Sequence, residues 1–164
     1  MKISEKNGKL VVTGFDAGEA YRIAERLEQD GILFYGKLAE QVKAPEVKET
    51  LEFLAAAETE HLNFFQDCLV RLREAGRDDS EDDDMAQSLD AGIFTSYQDA
   101  ANLAGILTDI KKALKLGILV EDKSIKFYRL CRENISESRV MAALQNIIEE
   151  EQRHKQLLES LLKQ

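Results

Sequence analysis

Proline occurs once in the 164 residues, cysteine only twice, and histidine only twice. Each shortage excludes something. Cys68 and Cys131 stand far apart with no C-x-x-C, which removes a disulfide scaffold and any zinc ribbon or similar four-cysteine module. A reduced, cytoplasmic protein is the expectation. Basic residues are also short: 22 Lys and Arg face 31 Asp and Glu, for a net charge of −9. No basic stripe is available to replace counterions on phosphates, so nucleic acid is excluded as a partner, and an anionic membrane surface is disfavoured. The opening "MKISEKNGKLVV" lacks the apolar stretch of a secretory signal, and no run approaches the ~20 apolar residues of a membrane span.

What remains is rich in Ala, Leu, Glu and Lys, poor in glycine, and 44% hydrophobic, the composition of an all-α globule with one core. Residues 1–15 read as a short, partly extended tail. Asp16 with Glu19 forms a capping box that starts a first helix near Ala17. Its apolar positions, among them Ala20, Ala24, Leu27, Gly31, Phe34, Tyr35 and Leu38, recur every three or four residues. Pro45 suits the first turn of a second helix, which runs to about Ala75 and stops at Gly76. A third helix is expected from roughly Thr108 to Arg132, ending near Asn134. A fourth, capped by Ser136 or Ser138, runs to about Leu162.

Between the second and third helices lies a long crossover, about residues 77–106. It opens on the acidic run "DDSEDDD", read as a solvated loop, and continues with Leu89, Ile93, Phe94, Tyr97 and Leu103 as one or two packed helical turns. Four long helices with one long connection describe the ferritin-like four-helix bundle, here spanning residues 16–164.

A shift of 93 positions lays the second helical pair on the first without a gap. Ala20 meets Ala113, Glu28 meets Glu121, Phe34–Tyr35 meets Phe127–Tyr128, Leu51 meets Leu144, Glu58 meets Glu151 and His61 meets His154. Both histidines fall on this repeat, each three residues after a glutamate. Glu28 shares its helical stripe with Ala24 and Gly31, and Glu121 shares its own with Leu114 and Tyr128. Glu58 and His61 lie in the line Leu51–Leu54–Phe65, and Glu151 and His154 in Leu144–Ile147–Leu158. Every helix thus points one carboxylate inward, and two helices add an imidazole a turn away.

Four ionised carboxylates in an apolar core would cost several kcal/mol each in desolvation. Two divalent cations cancel their charge. The residues expected to hold them are Glu28, Glu58, His61, Glu121, Glu151 and His154. A ligand set of carboxylates with one imidazole per metal and no thiolate favours iron or manganese over structural zinc. Tyr35 and Tyr128 lie on the same face, and a buried hydroxyl needs an acceptor, so each is expected to donate to a ligand carboxylate. Cys68 and Cys131 read as small core residues.

The stretches "LEQDGILFYGKLAE", "LVEDKSIKFYRLCREN", "AAAETEHLNFF" and "IIEEEQRHKQLL" resemble the four ligand helices of the rubrerythrin branch of the ferritin-like superfamily, and the "LDAGIFTSYQDAANLAG" crossover is similar to that of its single-domain members. The resemblance covers about residues 16–162. It implies a non-haem di-iron oxidoreductase that reduces hydrogen peroxide or dioxygen in oxidative-stress protection, with the six residues above as the ligands of two iron ions. Manganese or zinc could take their place as purified. The family's rubredoxin module has no counterpart in this sequence, so the resemblance implies a separate electron-donor protein such as a rubredoxin. The family's peroxidases carry a further carboxylate one turn after the third-helix ligand, where this chain has Ser124. A non-catalytic metal-binding or iron-storage role stands as the alternative. A homodimer that exchanges helix pairs through the long crossover is a further expectation.

Overall fold

The computed structural model describes residues 1–77 and 109–163. Among these, two short strands precede four long helices: β1 (Lys2–Lys6), β2 (Lys9–Thr13), α1 (Ala17–Gln41), α2 (Pro45–Glu74), α3 (Ile110–Asn134) and α4 (Ser138–Leu162). The expected crossover, with its acidic run and apolar turns, lies outside the described residues.

Local chemistry sets the helix ends. The Asp16 side chain accepts the Glu19 amide at 2.7 Å and caps α1. Pro45 occupies the first turn of α2, where its missing N–H costs nothing. At the far end, Gly76 takes φ 61°, its N–H reaches the Arg73 carbonyl, and the Arg77 N–H reaches Leu72. That is a Schellman closure, and the left-handed backbone it needs explains the glycine. Asp109 caps α3 by accepting from the Lys111 and Lys112 amides. Neither Ser136 nor Ser138 caps α4. The cap position belongs to Glu137, which makes no side-chain bond, and Ser138 is the first helical residue.

Residues 1–15, expected as a short, partly extended tail, form a hairpin that packs on the bundle. Their strands pair antiparallel from Lys2↔Thr13 to Lys6↔Lys9, closed by a two-residue turn with Asn7 at φ 52° and Gly8 at φ 75°. Asn-Gly is the preferred pair for such a turn because both residues tolerate positive φ and its twist matches the strands. Met1, Ile3 and Leu10 then seal the adjacent end of the bundle core.

Connections of three residues force α1 against α2 and α3 against α4 as antiparallel hairpins. The pairs then meet α1 beside α3 and α2 beside α4. Each 25-residue helix is about 37 Å long at 1.5 Å per residue, enough to carry two separate core layers. One apolar cluster gathers Tyr21, Leu27, Phe65, Phe127, Tyr128 and Ile147. The other gathers Phe34, Tyr35, Leu38, Leu51, Leu54 and Leu158. Neither contains a charged residue. Among the described residues, the buried charged ones are Glu28, Glu58, His61, Glu121, Glu151 and His154.

Candidate metal centre

All six of these side chains are between 1% and 3% exposed. Glu28 comes from α1, Glu58 and His61 from α2, Glu121 from α3, and Glu151 and His154 from α4. The structure brings all six together as two overlapping groups, Glu28–Glu58–His61–Glu151 and Glu58–Glu121–Glu151–His154. Within each group one donor atom per residue lies within 4.8 Å of every other. Glu58 and Glu151 belong to both. The Nδ1 atom of His61 stands 3.1 Å from Glu58 Oε2 and 3.2 Å from Glu151 Oε1. The Nδ1 atom of His154 stands 3.0 Å from Glu151 Oε2 and 3.4 Å from Glu58 Oε1. Each shared carboxylate therefore turns one oxygen toward each histidine, as an ion-bridging group would.

Both tyrosines reach the cluster by crossing between helices. Tyr128 on α3 donates to Glu28 on α1, and Tyr35 on α1 donates to Glu121 on α3. Seven helical residues are about 10 Å of rise, so neither hydroxyl can reach the glutamate of its own helix, and the antiparallel neighbour supplies the acceptor.

Without a metal such a cluster must hold protons. Burial, and after it the charge of Glu58, keeps the Glu28 carboxyl well above the usual carboxylate range. Burial, with Glu151 and Glu58, does the same to Glu121. Burial opposes the charged forms of Glu151, His61 and His154 as well, but their mutual hydrogen bonds outweigh it. Glu151 is pulled down, His61 is pushed up, and His154 is raised to about 9. Burial and the neighbouring Glu28 also push the Tyr128 phenol up.

The donor set fits a pair of divalent cations. Four carboxylates balance four positive charges, two imidazoles supply neutral ligands, and no thiolate is near. Space is kept for the shared carboxylate as well: a Cβ added at Gly31, one turn beyond Glu28, would sit 3.3 Å from Glu58 Cγ. The rubrerythrin family model matches residues 19–162. The chain belongs to the rubrerythrin family. No curated protein and no solved structure matches it. Members of the rubrerythrin family typically bind iron, and the buried cluster is able to hold a metal ion. No helix among the described residues is long and apolar enough to cross a membrane.

Two features of this rubrerythrin-family site escape the sequence pattern. Glu150 places Oε2 2.8 Å from His61 Nε2, on the side of the ring away from the cluster. It precedes Glu151 by one residue, about 100° around the helix, so the inward-facing stripe gives no reason to single it out. The second is an open cleft of about 700 Å³ between α2 and α4, which reaches His154 past Phe53, Ala57 and Leu157. Ser124 is buried at 6% exposure, one turn along α3 from Glu121.

Proposed function

We propose that this chain is a non-haem di-iron oxidoreductase that reduces hydrogen peroxide or dioxygen in a reducing cytoplasm and is recharged by a separate electron-donor protein such as a rubredoxin. The observation that carries the reading is the sharing of Glu58 and Glu151 by two four-residue groups, because shared carboxylates hold two ions next to one another. A pair of ferrous ions bound there would supply two electrons, which cleave the O–O bond of a peroxide or take dioxygen to the peroxide level.

The chain's own residues prepare that chemistry. Glu28 and Glu121 each serve one side of the cluster, and the tyrosine hydroxyls on their Oε1 atoms fix their orientation. The imidazoles of His61 and His154 present Nδ1 to the shared carboxylates. Apolar layers on either side keep bulk water from the cluster, and the α2–α4 cleft offers a small oxidant a route to the His154 side. Iron is the reading for the metal from ligand chemistry and family, with manganese or zinc able to fill the same donors.

Metal binding or iron storage without turnover is the second reading, and Ser124 favours it. A buried hydroxyl stands where peroxidases of the family, by the resemblance noted above, carry another carboxylate. Anaerobic loading with Fe(II), followed by stopped-flow mixing with peroxide and separately with dioxygen, decides between them. Rapid oxidation by one oxidant, repeated when reduced donor protein is added, is the expected result. Uptake of two irons that oxidise no faster than free Fe(II) in the same buffer would leave storage as the function.

A further inference from the structure

The two halves of the cluster differ, and the difference lies outside the six converging residues. His61 has both ring nitrogens engaged: Nδ1 faces Glu58 and Glu151, while Nε2 meets Glu150 Oε2 at 2.8 Å. The second oxygen of Glu150 stands 3.7 Å from Arg153 Nη2, so the carboxylate is steadied from behind. In the 93-residue repeat the counterpart of Glu150 is Ala57, a methyl group. Among the described residues no acid bonds the Nε2 atom of His154. Its ring instead meets Phe53 edge-on, with centroids 6.3 Å apart and planes at 89°. Phe53 is 58% exposed and lines the cleft with Ala57, Glu60 and Leu157. One imidazole is anchored at its far nitrogen by a carboxylate, and the other leans on a half-exposed aromatic ring.

Resting on the metal reading of the cluster, we propose that Glu150 is a positioning residue that makes the Glu28/His61 side the tighter of two unequal metal positions. With Nδ1 committed to a cation, Nε2 carries the ring proton and donates it to Glu150. A carboxylate acceptor there fixes the ring's tautomer and orientation and raises its basicity, and removing such a partner costs metal sites about 10- to 100-fold in affinity. The Glu121/His154 side lacks this support and lies against the cleft. It fills second, and a chelator empties it first.

Titration of the metal-free protein with Co(II), followed by visible absorption and calorimetry, tests this. The wild type is expected to bind two equivalents in separate phases. Glu150→Ala should weaken the first phase by about 10- to 100-fold and spare the second, while Glu150→Gln, whose amide oxygen still accepts the ring proton, should recover most of the loss. Ala57→Glu, which places an acid at the matching position of the other half, should tighten the second phase. In the cobalt protein one ring N–H signal should exchange slowly with water and one quickly, and Glu150→Ala should make both fast. Glu150 is 41% exposed, so water can take its place on the ring in the metal-free Glu150→Ala protein, and the melting temperature of that protein measures the folding contribution separately from the affinity. Two equal binding phases in wild type, or equal weakening of both by Glu150→Ala, would overturn the inference and leave the metal reading intact. A wild type that binds no Co(II) would overturn both.

Discussion

Replacing Tyr128 by Phe removes one oxygen from the centre of the molecule and little else. The ring stays packed, stacked on Phe65 at 5.3 Å and tilted against Phe127 at 5.7 Å, with no exposed surface. What is lost is the hydrogen bond from the hydroxyl to Glu28 Oε1. Its worth depends on the state of the carboxyl. In the metal-free protein burial, and after it the charge of Glu58, favours the neutral Glu28 carboxyl, and a bond between neutral groups contributes about 0.5–1.5 kcal/mol. With a cation bound, Glu28 is a carboxylate and the same bond contributes about 1.5–3 kcal/mol. The difference, about 1–1.5 kcal/mol, is roughly tenfold in metal affinity, confined to the Glu28/His61 side. Calorimetric metal titration gives the affinities and thermal melting of the metal-free protein gives the smaller term. Tyr35→Phe should produce the mirror effect on the Glu121/His154 side. A Tyr128→Phe protein with lowered melting temperature but unchanged affinity in both phases would show that the hydroxyl serves packing alone, and the argument from Glu28 would fail.

The shared carboxylates make a pattern of their own. Glu58→Ala or Glu151→Ala should reduce uptake below one ion, Glu28→Ala or Glu121→Ala should leave about one, and Glu60→Ala, which alters an exposed position, should leave two by elemental analysis. The pH dependence of the metal-free protein follows from His154, raised to about 9 by Glu151 and Glu58 against its burial. A raised basic group contributes stability that is complete below its unfolded value near 6.5 and is lost as the pH climbs through about 9, so urea midpoints of the metal-free protein should fall over that window. Metal competes with the same protons, so affinity should rise over the same range, and a flat profile for both would contradict the assignment. Burial pushes the Cys68 thiol up to about 11 and raises Cys131 as well, so neither should react with a disulfide reagent at pH 7.5 until denaturant is added. Fast reaction of either in the folded protein would refute their burial.

The four helices are legible in the chain because their signals are local and repeated. Apolar residues recur every three or four positions, Asp16, Pro45 and Gly76 mark ends, and the 93-residue shift presents the inward glutamates twice. Other features depend on what lies across a gap. Glu137 rather than a serine caps α4, because helix starts tolerate a cap without a side-chain bond when packing sets the register. The Asn7–Gly8 turn is a readable signal, but a two-stranded hairpin is marginal alone, and only its packing of Ile3 and Leu10 on the bundle makes residues 1–15 structured. The tyrosine hydroxyls are readable as needing acceptors, whereas their crossing to the opposite helix follows from the antiparallel arrangement of α1 and α3. Glu150 is hidden because it serves a histidine on another helix, 89 residues away.

We propose that six side chains from four helices hold two adjacent cations between Glu58 and Glu151. Anomalous diffraction at the iron edge, from crystals of anaerobically loaded protein, measures this directly. Two peaks about 3.5–4 Å apart, both within reach of Glu58 and Glu151, are expected. A single peak, or iron bound only at surface carboxylates while the cluster stays empty, would contradict it.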